Sequence, residues 1–322
     1  MNTVRIIIIL IFGVLSGAVA AKSTLVFATT YDEGTHQTIN NRVFARDISR
    51  ETMNVLDFDV HTNGSLYSGM ALFEAVSQGE VDLGELILSS MGSLDPVFLV
   101  DNLPFVVSDF DAAYQLWLST RGDIDRILAE HGVKLLYSTP WPPQGIYTND
   151  VPTGAGDFAG MNIRSYSEMT RVLIEALNAT PVEVPFSEVE NAFSEGRIDA
   201  MITSVSTGVS SSAWQYTRVY TNILFWIPKN IVFMNAGVFD QLTPEQQSTL
   251  LRSAEAAELR GWRLAQEEYL RSTISLTDNG IRVRTPRAAL RLELEQIGAE
   301  ITADWLSGKD DRIKALLNGT QQ

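Results

Sequence analysis

Apolar positions recur along the chain with two periods, and the switch between them marks out the elements. Residues 25–28 are a short run of β-forming and apolar residues. From 38 to 52 the apolar residues Ile39, Val43, Phe44 and Ile48 fall at helical spacing. Residues 56–60 then alternate apolar and polar, as a half-buried strand does. A helical stretch over 70–78 and a strand over 81–83 follow. This βαβ rhythm predicts an α/β protein with helices covering the sheets. Towards the C-terminus the pattern becomes helical throughout. Thr243-Pro244-Glu245-Gln246 joins an N-cap threonine, a first-turn proline and a glutamine at the third helical position. The helix it opens is expected to reach about Arg271, and another to occupy roughly 286–306. No Gly/Ser-rich linker interrupts the chain, so two domains would be joined by strands or helices.

One internal echo extends this picture. Residues 73–82 and 190–199 both read as a helix end, a glycine suited to the left-handed cap, then a β-branched residue and an aspartate entering a strand. The glycine-to-aspartate spacing is three in each: Gly79 to Asp82, Gly196 to Asp199. Helix–Gly–strand connections are common in α/β proteins, but over a chain of 322 residues the echo suggests two similar α/β lobes. Ligands of such proteins lie beyond the carboxyl ends of strands, in the crevice between lobes.

The N-terminus reads as an address. Arg5 precedes an apolar run over 6–15, and Ala18-Val19-Ala20 supplies small residues at cleavage spacing. That describes a secretory signal peptide over 1–21. A membrane anchor fits less well, because Gly13 and Gly17 break a run already short for a hydrocarbon core of about 30 Å. A periplasmic, soluble mature protein is expected.

Composition narrows the chemistry. Net charge is −15, which disfavours a nucleic-acid partner needing a basic face. There is no cysteine, hence no thiolate nucleophile, iron–sulfur cluster or disulfide. His36, His61 and His131 share no helical metal-ligand spacing, so neither metal nor cofactor is expected. GxSxG, GxGxxG and the P-loop pattern are absent, and no carboxylate pair can be assigned acid and base roles by spacing.

Several segments carry a family resemblance. They are Asp101-Asn102-Leu103-Pro104-Phe105, then Phe158-Ala159-Gly160-Met161-Asn162-Ile163-Arg164, then Ala179-Thr180-Pro181-Val182 with Pro185-Phe186-Ser187-Glu188-Val189, closed by Gly196-Arg197-Ile198-Asp199. In this order and spacing they resemble the substrate-binding proteins of tripartite ATP-independent periplasmic (TRAP) transporters, the DctP-like group, over nearly all of the mature chain. The resemblance implies a two-lobed periplasmic-binding-protein fold with a cleft between lobes and long C-terminal helices. It divides the chain into 22–146, mainly lobe 1, 147–235, mainly lobe 2, and a helical region over 236–322 that packs across both. It implies no enzyme activity. The function it implies is capture of a small organic carboxylate by hinge closure, followed by delivery to a sodium-driven transporter with a small and a large membrane subunit. The protein is expected to be monomeric. A secreted hydrolase or lyase acting on a carboxylate, or a sensory binding protein, is the alternative.

Arg164 is the strongest site candidate. It stands near the end of an expected strand, its planar guanidinium matches a carboxylate in a fork, and the resemblance places the ligand's carboxylate there. In Pro140-Trp141-Pro142-Pro143-Gln144-Gly145 three prolines stiffen a loop that would present Trp141 as a flat wall and Gln144 as donor and acceptor. Glu85, at a strand end, would accept a ligand N–H or O–H; a lobe–lobe ion pair is the competing role. Phe186, Trp226 and Tyr31 are candidate pocket walls, each with core packing as the alternative. Two departures bear on the ligand. Gly145 stands where many relatives carry a second arginine, and Thr203 where many carry asparagine. One guanidinium neutralises one carboxylate, so a compact cyclic or aromatic monocarboxylate, pyroglutamate-like or benzoate-like, is expected over succinate or a sugar acid.

Overall fold

The computed structural model describes residues 23–107 and 109–318. The signal-peptide reading over 1–21 lies outside them. Strand β1 (Ser23–Thr29), helix α1 (His36–Glu51), β2 (Leu56–His61), α2 (Met70–Gln78) and β3 (Leu83–Ile87) build the first α/β unit. Helix α3 (Phe110–Glu130) leads into β4 (Val133–Pro140). The second unit holds β5 (Gln144–Thr148), β6 (Asn162–Ser165), α4 (Glu168–Ala176), β7 (Thr180–Glu183), α5 (Val189–Ser194), β8 (Ala200–Ser204), α6 (Val205–Ser210) and β9 (Val219–Thr221). Then come β10 (Lys229–Asn235), α7 (Ala236–Gln241), α8 (Pro244–Asp278), β11 (Arg282–Arg284), α9 (Ala288–Ser307) and α10 (Asp311–Asn318).

The strands form two sheets, with orders β2-β1-β3-β10-β4 and β11-β9-β5-β8-β6-β7. Each has a parallel trio at its heart, β2-β1-β3 and β7-β6-β8. Each is extended by antiparallel strands, β10 beside β3 in the first and β5 beside β8 in the second. Besides the helical passage through α8 from β10 to β11, two extended connections therefore run between the sheets, from β4 to β5 and from β9 to β10. They pair with each other: Trp141 N–H donates to Pro228 O (2.8 Å), Gln144 N–H to Trp226 O (2.9 Å) and Phe225 N–H to Gln144 O (2.9 Å). This is the two-lobed arrangement with the cleft between the sheets.

The echoed segments occupy matching places in the two units. Gly79 (φ 78°) and Gly196 (φ 68°) both adopt the left-handed conformation their positions require. Asp82 accepts from the N–H of Val26 on β1 (2.7 Å), and Asp199 from the N–H of Asn162 at the start of β6 (2.9 Å). Each aspartate thus ties the incoming strand to the strand it pairs with. This also corrects the expected strand over 81–83, since the Asp82 side chain takes the Val26 N–H in place of a backbone carbonyl and β3 begins at Leu83.

Helix α8 opens with the capping box expected at Thr243 and Gln246. It runs to Asp278, beyond the expected end near Arg271, because buried Ser272 and Leu276 continue its inner face. It is 35 residues long and packs on α1 and β4 of the first unit and on α6 and β11 of the second. Gly261 permits the closest approach, since a Cβ there would lie 2.6 Å from Thr139 Oγ1 and 2.9 Å from Asn40 Nδ2. Asn40 Nδ2 donates to Ala257 O (2.9 Å), and Arg260 Nε donates to Asn40 Oδ1 (2.7 Å), so the helix is clamped at this point. Apolar clusters fill both faces of both sheets, from Phe27, Phe44 and Tyr137 in the first to Ile163, Ile202 and Phe225 in the second. Fully burying each such side chain contributes roughly 1.5–3 kcal/mol.

Candidate functional site

Between the two sheets lies a cavity of about 240 Å³. The end of β6 points one buried cation at it. Ile163 turns into the apolar cluster behind the sheet, so period-two alternation sends Arg164 to the other face. Arg164 Nε donates to Val184 O (3.0 Å) and Nη1 to Thr203 Oγ1 (3.4 Å). The guanidinium carbon lies 5.3 Å from the centre of the Tyr166 ring. Among the described residues Nη2 has no protein partner, and no carboxylate lies within ion-pair distance. Burial lowers the pKa of Arg164 to about 10, which leaves it charged at neutral pH. A buried guanidinium (3% exposed) with no anion is a site prepared for one.

A further wall of the cavity is aromatic, with two of its rings held by hydrogen bonds. Tyr31 follows β1, Trp141 lies on the β4–β5 connection, and Phe186 follows β7. Tyr31 meets Trp141 edge-on at 5.0 Å between centroids and Phe186 at 5.4 Å; Trp141 and Phe186 are 5.9 Å apart. Trp141 Nε1 donates to Asn230 Oδ1 (2.8 Å), as does the Tyr31 hydroxyl (3.3 Å). Gln144 lines the cavity but is partly engaged. Its Nε2 donates to Pro142 O (2.8 Å), and its Oε1 accepts from the Tyr166 hydroxyl (3.3 Å).

Six of the eight candidate residues therefore line one cavity: Tyr31, Trp141, Gln144, Arg164, Phe186 and Thr203. Glu85 and Trp226 do not, and both lie behind its lining. Glu85 is fully buried and takes three donors, Thr29 Oγ1 (2.6 Å), Asn41 Nδ2 (2.7 Å) and Asn230 Nδ2 (3.0 Å). The lobe–lobe ion pair considered for it is not seen among the described residues, and its two oxygens are engaged by these donors. Trp226 is fully buried, with Nε1 donating to the Tyr166 hydroxyl (2.8 Å), so it supports a wall residue rather than forming the wall.

Some lining residues escaped the sequence reading. Tyr166 is two residues beyond Arg164, and the same alternation would have found it. Thr30 adjoins Tyr31, and its Oγ1 is buried without a partner. Ser90, Leu86 and Thr207 also line the cavity, without a local pattern that marks them. Gly145 gains a physical reason. It lies opposite Thr203 in the β5–β8 register, and a Cβ there would fall 2.5 Å from Thr221 O and 2.6 Å from the Tyr220 hydroxyl. The fully buried Tyr220 fills the space a larger residue would need. Arg164 is the only cationic side chain among the described lining residues.

A cavity between two α/β lobes joined by paired strands, lined by one unpaired cation and by aromatic rings, defines the class of two-lobed solute receptors. The chain belongs to the bacterial extracellular solute-binding proteins, family 7 (DctP), whose model matches residues 27–308. Members of this family are periplasmic receptors for solutes and not enzymes, and nothing supports the hydrolase or lyase alternative. Three solved structures are similar. DctP7, a Bordetella pertussis extracytoplasmic solute receptor binding pyroglutamic acid, is 34% identical, with a TM-score of 0.91 over 93% of this chain and 100% of its own. DctP6 of the same organism, also binding pyroglutamic acid, is 31% identical, with a TM-score of 0.90 over 93% of this chain and 99% of its own. A marine metagenome TRAP solute-binding protein specific for pyroglutamate is 27% identical, with a TM-score of 0.90 over 94% of this chain and 99% of its own.

Proposed function

We propose that this receptor binds pyroglutamate, or a cyclic monocarboxylate of its size, with the carboxylate on Arg164. The observation that carries the reading is the single, unpaired, buried guanidinium at a cavity of about 240 Å³. One cation matches one carboxylate, and a second buried carboxylate would stand uncompensated at a cost of several kcal/mol. The hydroxyls of Thr30, Thr203 and Thr207 and the amide of Gln144 offer donors and acceptors for a lactam. Tyr31, Trp141 and Phe186 cover apolar ring faces. The ligands of the three similar receptors agree with this chemistry.

The reading extends to how the protein works. The first lobe comprises mainly 22–146, the second mainly 147–235, and the helices of 236–322 pack across both; β5 and β10 are the strands exchanged between sheets. The lobes close on the ligand about the paired connections, and the monomeric loaded receptor docks on the small and large subunits of a sodium-driven TRAP transporter. Export would use the segment 1–21 as a cleaved signal.

Isothermal titration of the mature protein with pyroglutamate, benzoate, succinate and glucuronate tests the ligand. Pyroglutamate is expected to bind at micromolar or lower Kd, about 8 kcal/mol or more, and to raise Tm. Strong binding of succinate or glucuronate with none of pyroglutamate would overturn the assignment.

A further inference from the structure

Behind the aromatic wall lies a chain of hydrogen bonds with a fixed polarity. Glu85, on β3, is fully buried, which pushes its pKa up, while its hydrogen bonds pull it down; as a carboxylate it only accepts. Its three partners are the Thr29 hydroxyl and the amide nitrogens of Asn41 and Asn230. No cation lies within ion-pair distance of it among the described residues. Because Glu85 only accepts, the Asn230 amide must turn its nitrogen towards Glu85 and its oxygen away. That oxygen is the atom that receives both Trp141 Nε1–H and the Tyr31 hydroxyl. The remaining amide, Asn41, has its oxygen taken by the Tyr137 hydroxyl (2.8 Å). Every link is buried.

We infer that Glu85 and Asn230 are positioning residues for the binding site: the carboxylate sets the direction of the Asn230 amide, and the amide holds Trp141 and Tyr31 as a preformed wall of the cavity. This rests on the cavity being the ligand site. Asn230 lies on β10, just past the β9–β10 connection, and Trp141 on the β4–β5 connection, so the link also ties the two connections together where they meet the first sheet. A preformed wall lowers the ordering cost of binding. The carboxylate is therefore not a ligand contact, and the aromatic pair does not depend on a ligand to find its place.

The polarity argument allows a swap. In Glu85→Gln the new amide nitrogen faces donors on one side or the other. Either Thr29 and Asn41 lose an acceptor, or Asn230 flips and presents its nitrogen to Trp141. In Asn230→Asp two carboxylates oppose each other. The double variant Glu85→Gln/Asn230→Asp restores every link at unchanged net charge. Its introduced glutamine donates to its introduced aspartate, and that aspartate accepts from Trp141 and Tyr31.

The experiment uses the full mature chain with two readouts. One is pyroglutamate affinity by titration. The other is hydrogen exchange of the Trp141 indole N–H in the ligand-free protein, assigned by its loss in Trp141→Phe. Each single variant is expected to weaken binding by about tenfold and speed indole exchange, the effect of leaving one buried hydrogen bond unmade. The double variant is expected to return both towards wild type, which a loss of general stability would not produce. Wild-type affinity and indole exchange in Glu85→Gln would overturn the inference, as would a double variant no better than the singles. Failure of wild-type protein to bind pyroglutamate would sink the ligand assignment alone, because the indole readout needs no ligand.

Discussion

The two sides of the cavity treat a buried charge in opposite ways. On the β1–β3 side, Glu85 is fully buried and closed off by three donors. On the β6–β8 side, Arg164 is almost as buried and keeps a nitrogen without a protein partner among the described residues. The two never meet, although an ion pair would relieve both. Satisfying the carboxylate from its own lobe leaves the guanidinium for an outside anion. Burial alone therefore does not mark a functional charge; the unspent hydrogen-bonding capacity does.

The strongest way to break this contrast is Arg164→Met. Pyroglutamate affinity is expected to fall by about a hundredfold or more, because a charge-assisted contact is lost and the bound carboxylate is left uncompensated. Tm without ligand should stay level or rise, since an unpaired buried cation is removed. A fall in Tm at unchanged affinity would make Arg164 structural. Arg164→Lys, read by the same titration, should keep the charge but lose the fork and bind about tenfold more weakly than wild type.

A third buried group sharpens the contrast by remaining neutral. His36 faces the Pro140 carbonyl oxygen at 2.8 Å through Nε2, and burial lowers its pKa to about 4. The unfolded chain takes up this proton near pH 6.5, whereas the folded one does not until about pH 4. Stability from this source is complete above pH 6.5 and is lost as pH falls towards 4. The loss approaches about 1.4 kcal/mol per pH unit inside that window. Urea melts of wild type and His36→Gln at about pH 7.5 and about pH 5, either side of the unfolded pKa, should show the smaller pH dependence in the variant. Equal dependence would assign the proton elsewhere. The smallest effect is expected for Thr203→Val. Its 3.4 Å contact to Arg164 is long, so affinity should change by less than about fivefold in the same titration.

These contrasts also explain what could be read in the chain beforehand. Arg164 was legible because it closes a recognisable segment at the end of a strand. Trp141 and Gln144 were legible because prolines fix the backbone around them. For Glu85 a ligand contact and a lobe–lobe ion pair read equally well, and the three donors that engage it, Thr29, Asn41 and Asn230, are joined to it by no local pattern. Trp226 fits a wall by residue type, but its place behind Tyr166 depends on the pairing of the two connections. The α/β rhythm, the capping box of α8 and the repeated glycine–aspartate turn were carried by local chemistry. The insertion of β10 between β3 and β4 was not, because strand order is set by contacts distant in sequence.

Helix α8 is a lever with its fulcrum at Gly261. Clamped there to α1 and β4, it carries an arm of 17 further residues, from 262 to 278, across to the second unit, where it packs on α6 and β11. At 1.5 Å per residue that arm is about 25 Å long, so a tilt of about 5° at the fulcrum displaces its tip by about 2 Å. Thr139 and Asn40, which set the seating of the fulcrum, thereby gain mechanical advantage over a cleft they do not line.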